Sequence, residues 1–147
     1  MAHILAVDDE PHIRDLVATI LAAEGHNVEL AADGHEALVA VQRLMPDLIV
    51  LDLAMPGMDG WRFLEELYVR GLRRRTRVVI LSGQVEEYPP QDSLGSSRHF
   101  LEKPFDASGL ITIVNDALDR EPHEIVDRNE RMDSLAKLIK KMEEVIP

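Results

Sequence analysis

Asp8, Asp9, Asp52, Ser82 and Lys103 are the side chains on which chemistry can be built, because each lies at or just past the end of a short apolar run. An ionisable group at the carboxyl end of a buried strand stands where open α/β sheets bind ligands. Three carboxylates gathered on one crevice cannot all stay ionised without a cation. Hard oxygen donors suit Mg²⁺, which keeps several waters and takes one or two protein carboxylates. Asp9 and Asp52 are expected to ligate it, with the backbone carbonyl of Ala54 as third ligand and Asp8 acting through water. A carboxylate beside Mg²⁺ can attack a phosphoryl group and become an acyl phosphate. The transferred group carries its charge on equatorial oxygens. Mg²⁺ would take one, the Lys103 ammonium another, and the Ser82 hydroxyl with nearby backbone N–H groups a third.

The elements that must bring these residues together follow from the apolar pattern. His3 to Val7, Asn27 to Ala31, Leu48 to Leu51, Arg77 to Leu81 and His99 to Leu101 are the expected strands. Helical spacing recurs between them. It runs through Ile13, Leu16, Val17, Ile20 and Leu21, then Ala37, Leu38, Val41 and Leu44, then Trp61, Leu64, Leu67 and Tyr68, and finally Leu110, Ile111, Val114 and Leu118. Asp9 is expected to cap the first helix and Gly25 to end it; Asp33-Gly34 turns the chain into the second. Gly71 stops the third, and Asp106 or Ser108 starts the last. Strands alternating with helices over short connections predict an α/β fold, a doubly wound five-stranded parallel sheet of order 2-1-3-4-5. That order makes strands one and three neighbours, and opens strands one, three, four and five on one edge.

Composition narrows the function classes. Cysteine is absent from the 147 residues, which removes thiolate catalysis and cysteine-based metal centres. The formal net charge of −11 argues against direct nucleic-acid binding. The basic cluster Arg70, Arg73, Arg74, Arg75 and Arg77 is expected to be a solvated loop. No secretory leader and no membrane-spanning run is seen, so a cytoplasmic location is expected. The six histidines lack paired ligand spacing, and no nucleotide-binding glycine motif occurs.

Past Leu118 the composition shifts. Ile125, Met132, Leu135, Ile139, Met142 and Ile146 form a heptad-like seam, widened by Leu138 and Val145. Residues 1–119 are therefore expected to form one domain, and residues 120–147 an amphipathic C-terminal helix. Its seam could be buried by docking back, by pairing in a homodimer, or by leading into an output domain.

Val7-Asp8-Asp9, Asp52 within Leu51-Asp52-Leu53-Ala54-Met55-Pro56-Gly57-Met58-Asp59-Gly60, Leu81-Ser82-Gly83 and Phe100-Leu101-Glu102-Lys103-Pro104-Phe105 together resemble the receiver domain of two-component response regulators. The resemblance covers residues 3 to about 119. It implies that Asp52 accepts phosphate from a sensor histidine kinase, a phosphotransfer protein or a small phosphodonor. It implies that Ser82 and Phe100 form a switch pair acting on a downstream effector or output domain. The module is then a signalling switch, not a turnover enzyme.

Three departures shape further expectations. Pro89-Pro90 and Gly95-Ser96-Ser97 predict a short or absent helix over 84–97, where the family usually has a continuous one. Ser82-Gly83 replaces the commoner Thr-Ala but keeps the hydroxyl. Ala54 offers no side chain to orient a hydrolytic water, so dephosphorylation without a partner is expected to be slow. Timing phosphate loss in Ala54→Asn checks this; no acceleration counts against it. Ala54 also stands where a haloacid-dehalogenase-type phosphatase needs a second Asp. The alternative reading is a receiver-fold interaction or dimerisation scaffold that signals without phosphate.

Overall fold

The strand Leu48–Asp52 (β3) is buried at every position, as expected for a strand covered on both faces. It lies at the centre of the sheet. The computed structural model describes residues 1–53, 55, 57–72, 76–83 and 99–119. Around β3 stand β1 (His3–Val7), β2 (Asn27–Ala31), β4 (Arg77–Ser82) and β5 (Phe100–Glu102), in the order β2-β1-β3-β4-β5 and all parallel. Fold class and strand order agree with the sequence pattern. The register pairs Val7 with Leu51, Asp52 with Leu81, and Ser82 with Glu102. Neighbouring strands therefore end nearly level, and their C-terminal residues share one edge.

Alternation along the strands divides the core into two layers. Leu5, Ile49, Leu51, Val78 and Ile80 face helices α2 (Gly34–Leu44) and α3 (Gly60–Val69), where they meet Leu38, Val41, Phe63 and Leu67. Ile4, Leu48, Val50, Val79 and Leu81 face α1 (Pro11–Ala23) and α4 (Ala107–Leu118), where they meet Val17, Leu21, Leu110 and Val114. Each fully buried side chain of this size contributes roughly 1.5–3 kcal/mol.

The helices start by two different devices. Asp33, Asp59 and Asp106 each accept a hydrogen bond from the backbone N–H three residues on, at 2.8, 2.8 and 2.7 Å. The α1 helix has no side-chain cap: Glu10 holds the cap position in an extended conformation and Pro11 opens the helix. This corrects the expectation that Asp9 caps α1. Proline at the first helical position needs no N–H partner, so Asp9 is released from that task. Asp33 likewise caps a helix that begins at Gly34 itself. Gly25, with φ +92°, follows α1 in the left-handed conformation that suits glycine.

The fifth strand runs Phe100–Glu102, one residue further on at each end than the apolar run indicates, because these are the three residues that pair with β4. Four expectations lie wholly or partly outside the described residues: the Ala54 carbonyl, the solvated loop at Arg73, Arg74 and Arg75, the conformation of 84–97, and the C-terminal helix over 120–147.

Candidate functional site

The site is built where β1, β3, β4 and β5 end. Asp8 follows β1 and continues its pairing with β2, donating from its N–H to the Ala31 carbonyl at 3.2 Å. Asp52 is the last residue of β3 and Ser82 the last of β4. Lys103 follows β5, and its N–H donates to the Ser82 carbonyl at 2.6 Å. A cis peptide joins Lys103 to Pro104. Only 2% of Asp8 and 4% of Asp52 is exposed, and Ser82 is equally buried. Asp9 and Lys103 are half-buried.

One carboxylate oxygen from each of Asp8, Asp9 and Asp52 lies within 4.8 Å of the others. The Lys103 ammonium donates to Asp8 Oδ2 at 3.0 Å and stands 3.6 Å from Asp52 Oδ1. Burial works to lower the pKa of Lys103. Its hydrogen bond to Asp8 and the charges of Asp52, Asp8 and Glu10 outweigh that, and hold the group above its ordinary 10.5. Lys103 is thus a fixed cation at neutral pH.

The sequence expectation assigned Lys103 to an incoming phosphoryl oxygen. In the structure it bridges two carboxylates, which places it beside the same spot. Three carboxylates against one ammonium leave a formal excess of two negative charges (three minus one). The donor set therefore fits a hard divalent cation in charge and in ligand type. Asp8 is already engaged on both oxygens, Oδ2 by Lys103 and Oδ1 by the Glu10 N–H at 2.9 Å. Asp9 makes no hydrogen bond or ion pair to another described residue, which leaves its carboxylate for such a cation.

The loop beyond Asp52 is anchored from several sides. Leu53 and Met55 are buried in the layer under α2 and α3. The Gly60 N–H donates to the Leu53 carbonyl at 3.0 Å. A Cβ on Gly60 would stand 2.7 Å from the Asp52 carbonyl oxygen and 2.6 Å from Leu53 Cα. Only glycine allows α3 to start that close to the end of β3. Gly34 makes the matching approach from α2, where a Cβ would meet the Met58 carbonyl oxygen at 2.6 Å.

Phe100 is half-buried. It lies beside Ile80 in the ladder and packs in the layer under α2 and α3. Ser82 lies two residues further along β4. The expected switch pair thus sits on adjacent strands, with the hydroxyl residue at the edge and the ring one step inside. All the described members of the expected site therefore meet at one edge.

Two contributors were not anticipated from sequence. Glu10 closes the turn after Asp8, and the Arg14 guanidinium donates to the Asp8 carbonyl at 2.8 Å. Glu10 follows the residue expected to cap the first helix, and Arg14 stands between apolar positions of α1, so neither carries a signal of its own in the sequence.

Residues 4–115 match the family model described as the response regulator receiver domain. The chain belongs to the response regulator receiver family. This receiver is 38% identical to sporulation initiation phosphotransferase F of Bacillus subtilis over 105 residues, which are 70% of this chain and 82% of that protein. Chemotaxis response regulator CheY4 of Vibrio cholerae superposes with a TM-score of 0.71 at 33% identity, covering 80% of this chain and 98% of that one. NtrX of Brucella abortus, solved in complex with ATP, gives 0.67 at 33% identity and covers 98% of this chain but 29% of that one. Several curated relatives are longer, and the receiver spans between a quarter and about half of them. Its role is that of its family, a phosphoacceptor module of two-component signalling. Among the described residues no helix is long and apolar enough to cross a membrane.

Proposed function

We propose that Asp52 is the phosphoacceptor and that a divalent cation, Mg²⁺ by donor chemistry, is held by Asp9 and Asp52, with the Ala54 carbonyl as a further ligand and Asp8 acting through water. The observation that carries this reading is the joint placement of Asp8, Asp9, Asp52 and Lys103 at the carboxyl edge of one sheet, with an excess of negative charge. When bound, the cation neutralises charge on the phosphoryl oxygens and on the attacking carboxylate.

The residues divide the remaining work. Asp52 attacks the phosphorus through a carboxylate oxygen, and the leaving group departs with its electron pair. The result is an acyl phosphate on Asp52. Lys103 exchanges its contact with Asp52 for one with a phosphoryl oxygen and keeps its hydrogen bond to Asp8. The Ser82 hydroxyl donates to another phosphoryl oxygen. Its movement leaves room for Phe100 to turn inward against Ile80, which alters the surface carried by β5 and α4. The donor is a phosphohistidine of a sensor kinase or phosphotransfer protein, or a small phosphodonor. The domain itself is a switch whose readers are a downstream effector or output domain.

Residues 1–119 form the receiver unit in this reading, and 120–147 an amphipathic helical extension. In support, the match to NtrX of Brucella abortus covers 98% of this chain, whereas the match to its receiver domain solved alone covers 79%. The extension is the element through which a homodimer or an output domain would join. The setting proposed is cytoplasmic, with no direct contact to nucleic acid or membrane.

Binding of beryllofluoride in the presence of Mg²⁺, followed by fluorescence of the single Trp61, tests the proposal. Saturable binding by wild type and none by Asp52→Ala is the expected result. No binding by wild type would sink it and leave a phosphate-independent scaffold.

A further inference from the structure

Asp9 is the one carboxylate of the cluster that no described residue engages, yet both peptide units flanking it are pinned. On its carboxyl side, the Glu10 N–H donates to Asp8 Oδ1 at 2.9 Å. On its amino side, the Asp8 carbonyl accepts from Arg14 Nη1 at 2.8 Å. Fixing both peptide planes fixes the backbone dihedrals of the residue between them. Arg14 is itself rooted, since its N–H donates to the Glu10 carbonyl at 3.0 Å as α1 begins. A residue one full turn into the helix thus reaches back and closes the elbow from which Asp9 projects.

We infer that Arg14 is a positioning residue for the acid cluster: it holds the Asp8–Asp9 elbow so that the Asp9 carboxylate is ready to take a divalent cation. The inference rests on the metal-binding reading given above. Arg14 touches neither the cation nor the phosphoryl group in this scheme; it acts through the Asp8 carbonyl. Partners that orient ligands in this way are worth about 10–100-fold in metal affinity.

The sign of the effect separates positioning from simple electrostatics. A guanidinium near three carboxylates repels an incoming cation, so if charge were its whole contribution, removing it would tighten Mg²⁺ binding. Positioning predicts the reverse.

The test is Mg²⁺ titration of the full chain by isothermal calorimetry in wild type, Arg14→Met and Arg14→Lys. Arg14→Met is expected to bind Mg²⁺ about 10-fold more weakly or worse. Arg14→Lys, which keeps a donor on a long stem, is expected to recover most of that loss. Equal or tighter binding in Arg14→Met overturns the inference, and so does a loss that lysine leaves untouched. A wild type that takes up no Mg²⁺ overturns the metal-binding reading as well, so the two failures are told apart. If Arg14→Met is unfolded by circular dichroism, Arg14→Gln, too short to reach the carbonyl, replaces it with the same outcomes.

Discussion

At the amino end of the sheet, the Asp47 carboxylate accepts from the His3 N–H at 2.9 Å and the Asp47 N–H donates to the His3 carbonyl at 2.8 Å. The Arg77 N–H donates to the Asp47 carbonyl, the Asn27 N–H to the Ala2 carbonyl, and the Ala2 N–H to His26 Nδ1. Every one of these contacts involves a main-chain group that would otherwise lack a partner where the strands begin. At the carboxyl end, three carboxylates gather at one spot, and a single ammonium contacts two of them. The same strands thus start by stitching the backbone and finish by holding like charges together. Interactions at the first end serve stability, whereas at the second end stability is given up to keep a site ready.

Substitutions at the two ends can break or sharpen this contrast. The largest effect is expected at Gly60, whose neighbours at the carboxyl end are backbone and cannot yield cheaply. Gly60→Ala should lower the unfolding free energy by about 1–3 kcal/mol through overpacking. It should also weaken beryllofluoride binding, since the displaced atom is the Asp52 carbonyl; urea denaturation and Trp61 fluorescence measure the two effects. Asp52→Asn should move stability the other way, raising it by roughly 0.5–2 kcal/mol in the presence of a chelator, because like-charge repulsion is relieved while activity is lost. A destabilised Asp52→Asn would mean that the Lys103 contact outweighs the repulsion, and the contrast would fail. The smallest effect belongs to the amino end, where Asp47→Ala should cost about 1 kcal/mol and leave Mg²⁺ affinity unchanged. Urea midpoints and Mg²⁺ titration read that outcome, and any change in affinity would show that the ends are coupled.

Much of this arrangement was legible in the chain. The strands His3–Val7 and Asn27–Ala31 have the bounds their apolar runs suggest, and the sheet order follows from β-α alternation. The five polar residues at strand ends were identifiable because a buried run that stops on a polar group is a local signal. Contacts made by reaching back along the chain were not. Arg14 looks like an ordinary polar position in an amphipathic helix, and its hydrogen bond to a carbonyl six residues earlier depends on how the elbow folds. Gly60 looks like loop punctuation, whereas its importance lies in the backbone it approaches. Asp9 and Asp33 show the limit of local capping rules. A proline at the first helical position displaced one expected cap, and an expected turn aspartate took up another. The start of β5 moved by one residue because three residues carry too little pattern to fix an alignment that the ladder to β4 decides.

That brevity of β5 has a mechanical consequence. Its three residues are half-buried or exposed, while every residue of β3 is buried. Local opening is cheapest where few apolar contacts and few ladder hydrogen bonds must be broken together. Phe100 packs into one layer of the core and Leu101 into the other. A small displacement of this one strand therefore reaches both sides of the sheet, while the rigid centre under Asp52 stays in place. Amide exchange should rank β5 as the softest strand and β3 as the hardest: a yielding margin on an unyielding frame.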